Sequence, residues 1–130
     1  MAPGDQRRAR PRLAVTVSDQ RGRPLRGTLA RWLSEVAPAT ARGHVSVAVV
    51  SDARVRALNR TYREKDYATD VLSFPADADG VRVPAALASV YAGPRELGDI
   101  VIARGVAQRQ AKAAGHSEGA ELRVLALSKV

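Results

Sequence analysis

The run Gly98-Asp-Ile-Val-Ile-Ala103 constrains the fold most, because its apolar stretch is unbroken, β-branched and too short for a helix. Such a run reads as a strand buried on both faces, so the rest of the chain must supply neighbouring strands and covering helices. Three other segments have strand character. Leu13-Ala-Val-Thr-Val17 alternates like a half-buried strand and is closed by the turn-like stretch from Asp19 to Gly22. His44 to Val50 is rich in β-branched residues, and Thr69 to Pro75 forms a third such segment in chain order.

Helical periodicity fills the intervals. Leu29, Trp32, Leu33 and Val36 recur at i, i+3, i+4 and i+7, with Thr28 placed to cap the helix, Pro38 to end it and Trp32 directed to the core. Ser51 and Asp52 open a second helix with Val55, Leu58 and Tyr62 on one side, where the polar Asn59 intrudes. A third, alanine-rich helix runs from Arg104 towards Ala114 and closes at Gly115. Ser117 caps a fourth, whose face of Leu122, Leu125 and Ala126 runs on to Val130 with no Gly, Pro or polar stop signal. Strands and helices mixed in this way predict an α+β fold, a small mixed sheet with helices packed on it.

A chain of 130 residues has room for one domain with a real core. The expected division is a basic arm over 1–12, with four arginines and two prolines, and a domain over 13–130. No apolar run or cleavage pattern follows the arm, so it does not read as a secretory signal. Its arginines suit a transit peptide, but Asp5 and the lack of Ser argue against one. No segment approaches the roughly 18 apolar residues of a membrane span, and cytoplasm is the default expectation. The absence of Cys removes disulfides, thiolate metal sites and cysteine nucleophiles. A net charge of +8 attracts polyanions, nucleic acid first among them, although a solvated arm and solvated helix faces would carry the same charge.

The densest polar cluster runs from Asn59 to Asp70. Arg60 and Arg63 can grip phosphate, Lys65 adds a point charge, and Tyr62 or Tyr67 can stack a base. A solvated helix end with a local Arg63 to Asp66 ion pair is the plainer alternative. Asp77, Asp79 and Gly80 only faintly suggest a calcium loop, since Pro75, Val83 and Ala86 stand where oxygen ligands are needed. Asp70 and Asp99 are read as cap and turn residues, and no Gly-rich phosphate loop or nucleophile elbow is present. The stretch of about twenty residues between Pro75 and Gly98 is long enough to be functional.

The pattern Leu58-Asn59-x-x-Tyr62-Arg63-x-Lys65-Asp66-x-x-Thr69-Asp70-Val-Leu-Ser-Phe-Pro75 closely resembles the signature of the YbeY family. Leu97-Gly98-Asp99-Ile100, Gly115-His116-Ser117 and Glu121-Leu122 follow in that family's order, so the resemblance spans Leu13 to Leu127. It implies a single-strand-directed, metal-dependent endoribonuclease acting in rRNA 3′-end maturation and ribosome quality control, with rRNA and the small ribosomal subunit as partners. It also implies zinc, and a role for Arg63 at the scissile phosphate. The family's metal motif, His-Gly-x-Leu-His-Leu-x-Gly-Tyr-Asp-His, would begin at Ser128, and Lys129 and Val130 complete this sequence. The expectation is therefore no metal ligand within these residues, and a chain cut before the motif. His44 and His116 have no partner at ligand spacing and read as surface or cap residues. Three readings follow: a family endoribonuclease, a noncatalytic RNA- or ribosome-binding module, and a fragment with uncovered apolar faces that does not fold stably.

Overall fold

The computed structural model describes residues 13–76 and 96–130. The arm over 1–12 and the loop with Asp77, Asp79 and Gly80 lie outside the described residues. In chain order the elements are β1 (Leu13–Asp19), α1 (Leu29–Val36), β2 (Gly43–Val50), α2 (Asp52–Arg63), β3 (Val71–Pro75), β4 (Glu96–Ala103), α3 (Arg104–Ala114) and α4 (Glu118–Leu127). The four strands form one sheet in the order β1-β2-β4-β3. The pairs β1/β2 and β2/β4 are parallel and β3/β4 is antiparallel, which is the mixed α+β sheet expected of the sequence.

The apolar run of β4 is buried on both faces because the sheet separates two clusters. Ile100 and Ile102 join Leu13, Val45, Val47, Leu33 and Leu125 on one face, while Val101 and Ala103 join Val50, Val55 and Leu72 on the other. Alternation along a strand produces this division directly. Both edges of the sheet are partly closed. Beyond β1, Leu25 N–H bonds the Val17 carbonyl at 3.0 Å. On β3 the Val71 N–H goes to Asp70 Oδ1 at 2.8 Å and the Ser73 carbonyl accepts from Arg63 at 2.9 Å, which blunts an edge that would otherwise invite pairing.

Ser51 and Ser117 cap α2 and α4, accepting from Arg54 N–H and Ala120 N–H, both at 3.1 Å. Gly115 ends α3 at φ 75°, a left-handed conformation that glycine adopts without a Cβ clash. Thr28 departs from expectation: its hydroxyl makes no cap bond to α1 and accepts from Arg123 Nη2 at 2.8 Å. Trp32 packs against the core but stays half-buried, with the Arg123 guanidinium 5.2 Å from its ring centroid. Both contacts share a cause, since α4 packs beside α1 and brings Arg123 to the positions that local periodicity assigned to cap and core. Among the described residues, Val124 and Leu127 remain exposed along the groove that Trp32, Ala120 and Arg123 line.

Asp52 links two helices that are distant in sequence. It sits in the first turn of α2, where its Oδ1 accepts from Val106 N–H at 3.1 Å and its Oδ2 from Arg109 at 3.0 Å. A carboxylate from α2 thereby satisfies an open donor in the first turn of α3, where the helix dipole favours negative charge. Gly105 leaves room for it.

Candidate nucleic-acid interface

The signature segment folds as the end of α2, a short turn and β3, and one buried polar residue organises it. Asn59 is 2% exposed and donates from Nδ2 to the Tyr67 carbonyl at 2.9 Å, which explains a polar residue on an apolar helix side. The helix ends at Glu64, held at φ 59°, and Lys65 N–H returns to the Asn59 carbonyl at 3.3 Å. The chain then turns back along α2 and brings Asp66 to Arg56.

That reversal gives Asp66 other partners than the Arg63 supposed in the plainer alternative. Asp66 is held by Arg56 through two hydrogen bonds, at 2.8 and 3.2 Å, with Arg60 at 3.9 Å. The Arg56 hydrogen bond holds the Asp66 carboxyl below its ordinary range, and the charges of Arg56 and Arg60 act in the same direction. Arg63 turns to the sheet edge instead. Its Nη2 donates to the Ser73 carbonyl at 2.9 Å, its Nη1 to the Tyr62 carbonyl at 3.3 Å, and its guanidinium carbon lies 5.0 Å from the Phe74 centroid. Tyr62 packs edge-on to Phe74 with centroids 5.5 Å apart, yet is 60% exposed and not part of the core as its helix side suggested. Arg60 and Lys65 are exposed beside it.

Arg63, Arg60, Lys65 and Tyr62 are therefore grouped by the structure at one end of α2 and the edge of β3. A planar guanidinium fixed by a carbonyl and an aromatic ring presents its remaining N–H groups at a defined angle, the requirement for gripping a phosphate. A cleft of about 320 Å³ shares Ser73 and Phe74 with this group but not the four side chains themselves: it is walled by Ser73, Phe74 and Pro75 of β3, residues 97–100 of β4, Val45 of β2, and Pro38, Thr40 and Ala41 ahead of β2. Lys129 and Val130, just past the end of α4, also line this cleft. Gly98 allows the close approach of β3 to β4 here: at φ 141°, a Cβ on it would lie 2.9 Å from Pro75 Cα and nearer still to the Phe74 carbonyl oxygen.

A family model described as Endoribonuclease YbeY matches residues 16–127. The chain belongs to the YbeY family. A protein of Moorella thermoacetica named Endoribonuclease YbeY is 43% identical over 112 residues, covering 82% of this chain and 69% of that one. Its namesake from Koribacter versatilis is 45% identical over 89 residues, covering 68% of this chain and 49% of its own. The chain thus spans about half the length of the Koribacter relative. The solution structure of a Thermotoga maritima protein superposes with a TM-score of 0.51 at 22% identity, over 83% of this chain and 63% of that one, a likeness of fold.

The zinc that YbeY resemblance implies does not fit the imidazoles present. His44 Nδ1 lies 2.6 Å from Glu96 Oε2 and its Nε2 3.1 Å from Thr16 Oγ1. His116 Nε2 lies 2.5 Å from Glu121 Oε1, whose side chain is 9% exposed. Each ring is occupied by its own carboxylate on a different part of the fold, and among the described residues no three His, Asp or Glu side chains gather around one point. Asp70 behaves as a cap, as expected, taking Val71 N–H on Oδ1 and Gln110 on Oδ2. Asp99 sits exposed on β4 at the cleft.

Among the partnerships that sequence reasoning missed are Arg56 with Asp66, His44 with Glu96, and Asp52 with α3. Only the last left a trace, an acid in the first turn of a helix.

Proposed function

We propose that this chain binds single-stranded RNA through Arg63, Arg60, Lys65 and Tyr62, as part of a YbeY endoribonuclease acting in the cytoplasm on rRNA 3′ ends during ribosome maturation and quality control. The observation that carries the reading is Arg63, anchored on the Ser73 carbonyl and the Phe74 ring at the β3 edge. There it offers fixed N–H donors to a phosphate and to the charge that grows on it as a bond to phosphorus forms. Family membership, the net charge of +8 and an exposed tyrosine for base stacking support it. No catalytic step is assigned to zinc.

The test is fluorescence anisotropy with a single-stranded RNA. Arg63→Ala should weaken binding by about tenfold or more and lower the salt slope by about 0.7, the value for one lost phosphate contact on a single strand. Unchanged affinity and slope would refute the site. A second reading, a noncatalytic RNA- or ribosome-binding module, draws on the occupied imidazoles of His44 and His116. Binding without turnover of the same RNA supports it, and turnover supports the endoribonuclease.

A further inference from the structure

Arg56, Arg60 and Arg63 recur at i, i+4 and i+7, so they share one stripe of α2. Arg63 stands at the end nearest β3. Arg56 lies about 10 Å back along the axis, a distance that neighbouring nucleotides of a single strand can bridge. The turn over 64–67 folds back beside this stripe and is held there by Asn59, whose carbonyl accepts from Lys65 N–H at 3.3 Å and whose Nδ2 donates to the Tyr67 carbonyl at 2.9 Å. Tyr67 is therefore fixed through its backbone, yet remains 52% exposed.

Asp66, next to Tyr67, grips the Arg56 guanidinium from one side. Its Oδ1 accepts from Nε at 2.8 Å and its Oδ2 from Nη2 at 3.2 Å, a fork-to-fork pair that sets the plane of the group. The Nη1–Nη2 end points away from the carboxylate, on a side chain that is 57% exposed. Two parallel N–H groups are thus presented at a set angle. The Arg56 hydrogen bond also holds the Asp66 carboxyl below its ordinary range, so Asp66 is ionised at neutral pH and balances the charge of Arg56. A balanced pair attracts a phosphate weakly and suits an uncharged group with two adjacent acceptors. Phosphate is better served at Arg63, anchored on the Ser73 carbonyl and the Phe74 ring.

From this geometry we infer that Arg56, positioned by Asp66, and Tyr67 form a guanine-selective subsite beside the phosphate held at Arg63, which deepens and rests on the RNA-binding reading above. Guanine presents N7 and O6 as adjacent acceptors, and these match the two N–H groups of an arginine fork. Adenine has an amino donor in place of O6, which meets one of those N–H groups donor to donor. Tyr67 offers a ring on which either purine stacks, so the stacking binds and the fork selects. Asp66 is a positioning residue, acting on the base only through the orientation of Arg56.

The experiment measures, by anisotropy with the whole chain, oligouridylates that carry one central guanosine, adenosine, inosine or 7-deazaguanosine. The guanosine strand should bind about tenfold more tightly than the adenosine strand. Inosine keeps N7 and O6 and should match guanosine, whereas 7-deazaguanosine lacks N7 and should lose most of the preference. Arg56→Gln should abolish the difference between guanosine and adenosine. Asp66→Asn should diminish that difference while tightening binding of plain oligouridylate, because a negative charge is removed beside Arg60. If Asp66→Asn moves all strands together, its role is charge or structure alone, and the positioning is overturned. Equal wild-type affinity for guanosine and adenosine, a preference lost with inosine, or one that survives 7-deazaguanosine or Arg56→Gln overturns the subsite and leaves RNA binding standing. Failure to bind any of the strands overturns the RNA reading and the subsite together.

Discussion

Gly105→Ala should destabilise this chain, although the same change in most helices does the opposite. Glycine near the start of α3 sacrifices about 0.5–1 kcal/mol relative to alanine through backbone entropy, so alanine starts with that advantage. Here the new Cβ would stand 2.9 Å from the Asp52 carboxyl carbon and nearer still to Oδ2. Asp52 would have to withdraw, giving up Val106 N–H at 3.1 Å and Arg109 at 3.0 Å. Losing a carboxylate from the first turn of a helix costs about 0.5–2 kcal/mol, and the exposed Arg109 contact adds little. The net effect is a loss of about 0.5 kcal/mol, or a fall of about 2–3 °C in Tm for a domain of this size. Thermal and urea unfolding followed by circular dichroism measure it. In an Asp52→Ala background the obstacle is gone, so Gly105→Ala should become stabilising by about 0.5–1 kcal/mol. A rise in Tm in the wild-type background, or the same effect in both, would refute the reasoning.

Other consequences can be checked as directly. Asn59→Leu removes the donor that holds the Tyr67 carbonyl and should cost about 1–3 kcal/mol, with faster amide exchange across 64–70; unchanged exchange would contradict its organising role. Asp66 has a folded pKa below its unfolded one, so its pairing with Arg56 stabilises above the ordinary carboxylate range and is lost as pH falls through the lowered value. Asp66→Asn should therefore slightly lower Tm near neutral pH and leave it unchanged in strong acid, whereas an equal effect at both would refute the pairing. Elemental analysis of the chain, purified without chelator, should find zinc far below one ion per molecule. A full equivalent would show that His44 or His116 leaves its carboxylate for a metal.

What the sequence disclosed, and what it hid, divide by distance along the chain. All four strands and four helices were visible in period and composition, and the caps Ser51, Gly115 and Ser117 were visible because their partners lie within a few residues. Thr28 and Tyr62 depart from expectation because their surroundings come from elsewhere: Arg123 reaches Thr28 from α4, and Tyr62 lies exposed against Phe74, whereas Trp32 packs against the core and also takes Arg123 on its ring. Arg63 is placed by the sequence within a dense polar cluster. Its anchorage on Ser73 was not legible there, since a left-handed Glu64 reverses the chain and hands Asp66 to Arg56. The pairing of His44 with Glu96 across 52 residues belongs to sheet register, which no local pattern encodes.

The central claim, that RNA meets the chain at Arg63 and the β3 edge, is tested most directly by titrating single-stranded RNA into the isotope-labelled protein and following amide and arginine side-chain resonances. The account predicts the largest shifts at Tyr62, Arg63, Lys65 and Ser73 to Pro75, all abolished in Arg63→Ala, with the α1 and α4 groove around Trp32 silent. Shifts concentrated on Trp32, Arg123 and Val124, or unaltered by Arg63→Ala, would contradict it.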